Sequence, residues 1–235
     1  RLMISRQPSL NLLFSQAGWH SVAVMPAITM AWPEADYFGY DQILSASGLQ
    51  YRGKPFNWVT MPDQYTLSAF DRLALKPAHE RGQRVMAEIA LISSHAPWTP
   101  VPTLIDWDKV GDGSAFNDQA VSGDPPSVVW AVPDRVRRQY IQTIDYSLAT
   151  LGEFMERQRR DVVYVILGDH QPASIITGQG ASRAVPVHIV SDDADLVARF
   201  EAEGFVSGMM PADTTKEQPM SALRQTRIDT FSGAP

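Results

Sequence analysis

The stretch Val162-Val163-Tyr164-Val165-Ile166-Leu167-Gly168-Asp169-His170-Gln171 decides how this chain is read. Six apolar residues rich in branched side chains, preceded by the polar Arg159-Arg160-Asp161, predict a strand covered on both faces. The carboxyl end of such a strand is where α/β enzymes keep their chemistry, and here it carries an acid and an imidazole. A carboxylate oxygen and a ring nitrogen together suit a zinc-like or manganese-like divalent ion better than calcium or magnesium. Adjacent residues on an extended strand point to opposite faces. Asp169 and His170 therefore reach one ion only if the chain turns after Gly168, which a glycine permits. An isolated Asp-His pair equally suits an acid that caps a helix or turn beside a surface histidine.

Working outward, apolar residues at Val136, Tyr140, Ile144, Leu148, Leu151 and Met155 predict a helix over 136–158 that feeds this strand, with Asp134 in front as its cap. Downstream, the pattern predicts a strand over Val185–Val190, a helix over Asp193–Glu203 and a short strand over Phe205–Met209. Toward the amino end, Leu10, Leu12, Leu13 and Phe14 lie between Ser9 and Gly18, the signature of a capped helix with a glycine stop. A strand over Val22–Met25 follows, then a helix over Thr66–Leu75 and a second buried strand over Val85–Ser94 that delivers His95 at its end. The aromatic, turn-rich stretch Trp32–Trp58 reads as a long ordered loop. The Pro-, Gly- and Asp-rich segment 97–133 reads as a loop excursion serving as lid or flank, and 212–235 as a polar tail with one helix near Met220–Ile228. Alternation of strands and helices predicts an α/β domain with a mostly parallel sheet, spanning 1–235 without a visible boundary.

An apolar content of 44% over 235 residues is ample for a core. The net charge of −6, from 26 acidic and 20 basic residues without a basic stripe, argues against nucleic acid as a partner. No run approaches the roughly 20 apolar residues that cross a bilayer, and Arg1-Leu2-Met3 lacks the order of a signal peptide, so any anchor would lie in segments outside this chain. The absence of cysteine excludes disulfides and thiolate metal sites and fits either the cytoplasm or a bacterial envelope.

The amphipathic helix with Tyr140, Ile144, Asp145 and Leu151-Gly152, followed by a strand ending Gly168-Asp169-His170, resembles the alkaline phosphatase and sulfatase superfamily. The segment Ser94-His95-Ala96-Pro97-Trp98 shares that resemblance. It is closest in look to the envelope branch of lipoteichoic acid synthase-like and phosphoethanolamine transferase-like proteins. The similarity extends through Ala17-Gly18-Trp19, Tyr37-Phe38-Gly39-Tyr40-Asp41 and Met61-Pro62-Asp63-Gln64, most of residues 10–190. The resemblance implies a three-layer alkaline phosphatase-like α/β domain, incomplete at its amino end. It implies metal-assisted transfer or hydrolysis of a phosphoester or sulfoester, lipid or glycan linked, through a threonine or serine nucleophile. Asp169 and His170 would be metal ligands for zinc or manganese, and His95 would donate to non-bridging ester oxygens. The site would face the periplasm or the outer side of the inner membrane. In the family the nucleophile and first acidic ligand precede the segment resembling Leu10–Gly18. The resemblance therefore implies the carboxy-terminal part of a longer protein, catalytically incompetent by itself with weak or no metal occupancy. A non-catalytic envelope module that binds glycans or proteins on the same fold is the alternative.

Other candidates read as structural. His188 sits inside a predicted strand, and His20 and His79 flank turn-like sequence without an acidic partner. Asp106, Asp108, Asp112 and Asp118 miss the spacing of a calcium loop. Gly178-Gln179-Gly180 lacks the third glycine of a phosphate cradle. Most of the six tryptophans read as pins for long loops, with Trp98 as a possible wall of the substrate cleft.

Overall fold

The computed structural model describes residues 8–158, 161–210, 215–223 and 225. The chain forms two compact units, 1–156 and 157–235.

In the first unit Ser9 caps α1 (Leu10–Gln16), its Oγ accepting from Leu12 N at 3.0 Å. Gly18 at φ +82 ends it, with Trp19 N donating to Phe14 O and Gly18 N to Ser15 O, both at 3.0 Å. The Trp19 and Phe14 rings meet edge to face at 5.2 Å, the apolar contact that accompanies this helix stop. The turn delivers the chain into β1 (His20–Met25). After α2 (Ala35–Phe38), β2 (Gln42–Ser45) pairs parallel to β1 with Val22 opposite Gln42. A continuous helical stretch follows, α3 (Asp63–Phe70), a π-helical turn over Asp71–Leu75 and α4 (Lys76–Glu80). Then β3 (Val85–Ile89) pairs parallel to the other side of β1, His20 opposite Val85. The order is β2-β1-β3. Val22, Ala23 and Val24 of the central strand are fully buried. Each of the two valines contributes roughly 1.5–3 kcal/mol by leaving water.

Segment 97–133 is built of short turns: 3₁₀ turns at Trp107–Lys109 and Ser114–Phe116, α5 (Asn117–Ala120) and α6 (Pro126–Val129). Then comes α7 (Pro133–Arg157). In the second unit β4 (Tyr164–Leu167) pairs antiparallel with β5 (Val187–Val190), Ile166 opposite His188. One helical turn, α8 (Ser174–Thr177), lies between them, and α9 (Ala194–Ala202) follows, capped by Asp193, whose side chain accepts from Leu196 N.

Four sequence expectations are corrected. The strand buried on both faces is β1 and not β4, which starts two residues later than predicted, is half-buried and ladders antiparallel. The segment read as loop contains β2, a strand too short and too mixed for periodicity, with only Leu44 buried. The 205–209 strand is not formed. Gly204 at φ +99 closes α9 with Phe205 N on Phe200 O at 3.1 Å, and the two rings meet at 5.4 Å, so Phe205 packs on the helix it leaves. On α7 the buried face is Val136, Thr143, Tyr146, Ser147, Thr150 and Phe154, while Leu148 is 51% exposed. Thr143 and Thr150 hydroxyls donate back to the carbonyls of Tyr140 and Tyr146, both at 2.7 Å, which lets polar residues line a buried face. The helix expected at 220–228 lies largely outside the described residues.

Gly113, at φ +91, lies against the Tyr51 ring, which itself stands edge to face on Tyr65 at 4.7 Å. A methyl group there would overlap the Tyr51 ring and occupy a backbone conformation that L residues disfavour. Gly113→Ala should lower stability by about 2–3 kcal/mol, read in urea as a lower midpoint at unchanged slope; an unchanged midpoint would contradict this packing.

Candidate functional site

The loop after β3 is shaped by a carboxylate that the sequence did not single out. Asp63 opens α3 and is fully buried. Its Oδ1 accepts from the backbone amides of Ile92 and Ser93 at 2.9 and 2.8 Å, and its Oδ2 from Ser147 Oγ on α7 at 2.7 Å. Its own amide donates to Ser93 Oγ at 2.9 Å. The β3 ladder ends at Ile89, with Ala90 N still donating to Val24 O, because the next amides are drawn to Asp63. The strand predicted through Ser94 therefore stops short, and His95 sits in a loop beyond the strand end. Burial pushes the Asp63 carboxyl up, while hydrogen bonds from Ser147, Ser93 and Ile92 pull it partly back. Next to it Gln64 N donates to Tyr146 Oη at 3.2 Å, and the Gln64 amide exchanges two hydrogen bonds with the Ile105 backbone. Burial, with the nearby Asp63, raises the Tyr146 hydroxyl well above the tyrosine range.

His95 is exposed, its amide donating to Ile92 O at 3.0 Å. Its Nδ1 lies 2.7 Å from Ala96 O, and since a carbonyl only accepts, Nδ1 carries the hydrogen. The ring is stacked on Trp58, centroids 4.1 Å apart and planes at 25°. Trp98, read from sequence as a cleft wall, is instead buried. It donates from Nε1 to Ser94 O at 2.8 Å and stacks on Trp130 at 5.4 Å, with Tyr140 edge-on. The indole serves the loop's packing and anchors the residue before His95.

In the second unit the chain bends at Asp169 and His170, as convergence of the two side chains requires. Asp169 Oδ1 accepts from His170 N at 2.8 Å, which leaves Oδ2 3.6 Å from His170 Nε2. Two donors on a tetrahedral zinc, each about 2.0–2.1 Å from it, stand roughly 3.3 Å apart. His170 Nδ1 donates to Gln171 O at 2.8 Å, which orients the imidazole and leaves the lone pair on Nε2. The donor set fits two positions of a zinc or manganese site. Both side chains are largely in water, 88% and 73% exposed, and among the described residues no three His, Asp or Glu side chains stand together as a metal group.

Asp169 and His170 are thus brought together, whereas His95 belongs to the other unit. His20 is a half-buried strand residue paired with Gln42 Oε1 at 3.0 Å, not a solvated one, and His188 lies in β5 as expected. The signal for the missed Asp63 was Ser147, the one hydroxyl among Thr143, Ser147 and Thr150 that bonds across to the facing element and not to its own helix. Trp58 carried no spacing signal at all.

A parallel three-stranded sheet with helical segments between its strands defines an α/β fold. Within that class the fold is the alkaline phosphatase-like one. The structure is similar to the lipoteichoic acid synthase LtaP from Listeria monocytogenes, with a TM-score of 0.55 and 15% identity over 79% of this chain. A protein of the alkaline phosphatase superfamily from Vibrio parahaemolyticus also matches, with a TM-score of 0.49 and 15% identity over 77% of this chain. The chain spans 46% of the length of the first and 40% of the second. No family model and no curated protein matches the sequence.

Because its folded pKa is raised, Asp63 contributes stability that is fully present below the unfolded carboxyl pKa and is lost as pH rises through the folded value. Asp63→Ala strands two buried amides and a hydroxyl and should cost about 3 kcal/mol. Asp63→Asn keeps an acceptor for the amides, and in thermal melts between about pH 4 and 8 it should gain on the parent as pH rises. An Asn variant that loses ground with rising pH would overturn the assignment of a burial-raised carboxyl.

Proposed function

We propose that this chain is part of a metal-dependent enzyme that hydrolyses or transfers phosphoesters or sulfoesters at the bacterial envelope. Its two compact units, on this reading, belong to one alkaline phosphatase-like domain, since the likeness to LtaP covers more of the chain than the first unit contains. The observation that carries the reading is the bend at Asp169-His170. It turns a carboxylate oxygen and an imidazole nitrogen toward each other at nearly the separation that a shared ion demands, with the second imidazole nitrogen already fixed. Asp169 Oδ2 and His170 Nε2 would hold zinc or manganese, with further ligands supplied by residues other than these two. When bound, the ion supplies charge to ester oxygens and lowers the pKa of the attacking group.

The remaining work belongs to the chain. His95 presents Nε2 to a non-bridging oxygen of the ester; with Nδ1 committed to Ala96, Nε2 donates when it carries the second proton. The Asp63 staple holds the loop that presents it. The name of LtaP, a lipoteichoic acid synthase, points to an ester linked to lipid or glycan as the substrate class. No helix of the described residues is long and apolar enough to cross a bilayer. The exposed two-donor pair favours a second reading, a non-catalytic module that binds envelope glycans or proteins on the same fold.

In the full-length protein, hydrolysis of an aryl phosphate or aryl sulfate should require added zinc or manganese, and Asp169→Ala should abolish it. Turnover that survives chelation, or an Asp169→Ala protein with parental rates, would remove the metal mechanism. A full-length protein inert toward both esters at saturating metal would favour the binding module.

A further inference from the structure

Trp58 is held against His95 by a device that core packing does not call for. Phe56 and Val59 exchange backbone hydrogen bonds at 2.8 and 3.1 Å across a two-residue turn, and both side chains are buried. Asn57 in that turn takes φ +62, a conformation rare for a non-glycine residue. Thr60 Oγ1 then donates to Pro26 O at 2.7 Å, tying the turn to the carboxyl end of the central strand β1. The result is a clamped turn whose tip presents the largest apolar side chain, 53% exposed, where burial would have served stability better. What the indole covers is the face of the His95 ring.

His95 is constrained from two directions. The Ala96 carbonyl holds Nδ1 in the plane of the ring and Trp58 lies on its face, so rotation about the outer side-chain torsion breaks both contacts at once. Among the described residues Nε2 is the ring nitrogen without a hydrogen-bond partner. We propose that Trp58 is a positioning residue for His95: the clamped turn at residues 56–59 sets the indole so that Nε2 is presented to the oxyanion in one orientation. The proposal rests on the reading of His95 as the donor to ester oxygens, and it adds a residue outside the motif that suggested that reading.

The test uses the full chain, with inorganic phosphate as the probe. Ring-current displacement of the His95 carbon-bound protons in NMR spectra reports the stack, and phosphate titration reports the oxyanion contact. Trp58→Phe should retain part of the displacement and bind phosphate within about twofold of the parent, whereas Trp58→Leu should lose it and bind roughly fivefold more weakly. In the His95→Ala background Trp58→Leu should weaken binding no further, an interaction that a purely structural role would not produce. If Trp58→Leu does not fold, Trp58→Gln takes its place. Equal losses with and without His95, or no displacement in the parent, overturn the positioning role. If the parent binds no phosphate, or His95→Ala leaves binding unchanged, the role of His95 in the proposed function falls. The displacement and its loss in Trp58→Leu then decide alone whether Trp58 sets the ring.

Discussion

The carboxylate of Asp63 is the point on which the first unit turns. Three elements distant in sequence, the start of α3, the exit from β3 and the middle of α7, meet at its two oxygens. Among the described residues no cation neutralises it; two amides, one hydroxyl and the amino end of the helix it opens share that task. A buried carboxylate of this kind is tolerated only when its lone pairs are filled, which makes the geometry around it narrow. The cost of burial is offset by specificity of placement. Ile92 and Ser93 cannot continue the ladder, and the chain is released at one defined position into the loop that holds His95.

From that position a second layer of constraint builds outward. The Trp98 indole holds the Ser94 carbonyl and is itself held between Trp130 and Tyr140, so the loop is braced behind His95 while Trp58 meets it in front. Rigid support around a single exposed imidazole would suit the oxyanion donor proposed for His95, because a donor that must reorganise loses most of its advantage over water. The structure invests buried side chains to keep one exposed side chain still.

Local signals carried much of the fold. Ser9 and Gly18 bracket α1 because cap and stop are chemistry within one turn of the helix end, and Asp193 opens α9 for the same reason. The parallel sheet followed from alternation, and the chain bends at Asp169-His170, directly after the glycine that permits a turn. What failed did so where tertiary partners decide. Four residues of β2 carry no period, yet β1 pairs with them. The run Val162–Leu167 is apolar enough for a fully enclosed strand but ladders with β5 alone among the described residues. The apolar stripe of α7 lost to a face of hydroxyls because two of them satisfy themselves on their own helix and the third finds Asp63. Trp58 and His95 are 37 residues apart, and no spacing rule connects a turn tip to a strand-exit loop.

A fold shared at 15% identity constrains architecture and leaves chemistry open, since one scaffold hosts many sites. The functional reading must then stand on atoms. At Gly168–Gln171 those atoms make an argument independent of fold: one carboxylate oxygen is bound to an amide, one imidazole nitrogen to a carbonyl, and the two that remain face each other. A capping aspartate beside a surface histidine needs only the first of these contacts. The second, Nδ1 on Gln171 O, adds nothing to a cap, but it fixes the tautomer with its lone pair on Nε2, the form in which imidazole binds a cation. The same tautomer recurs at His95, again fixed by the carbonyl of the following residue. There no carboxylate stands within ion-pair reach among the described residues, and Nε2, bare in this tautomer, donates to an anion only once the ring takes up a second proton.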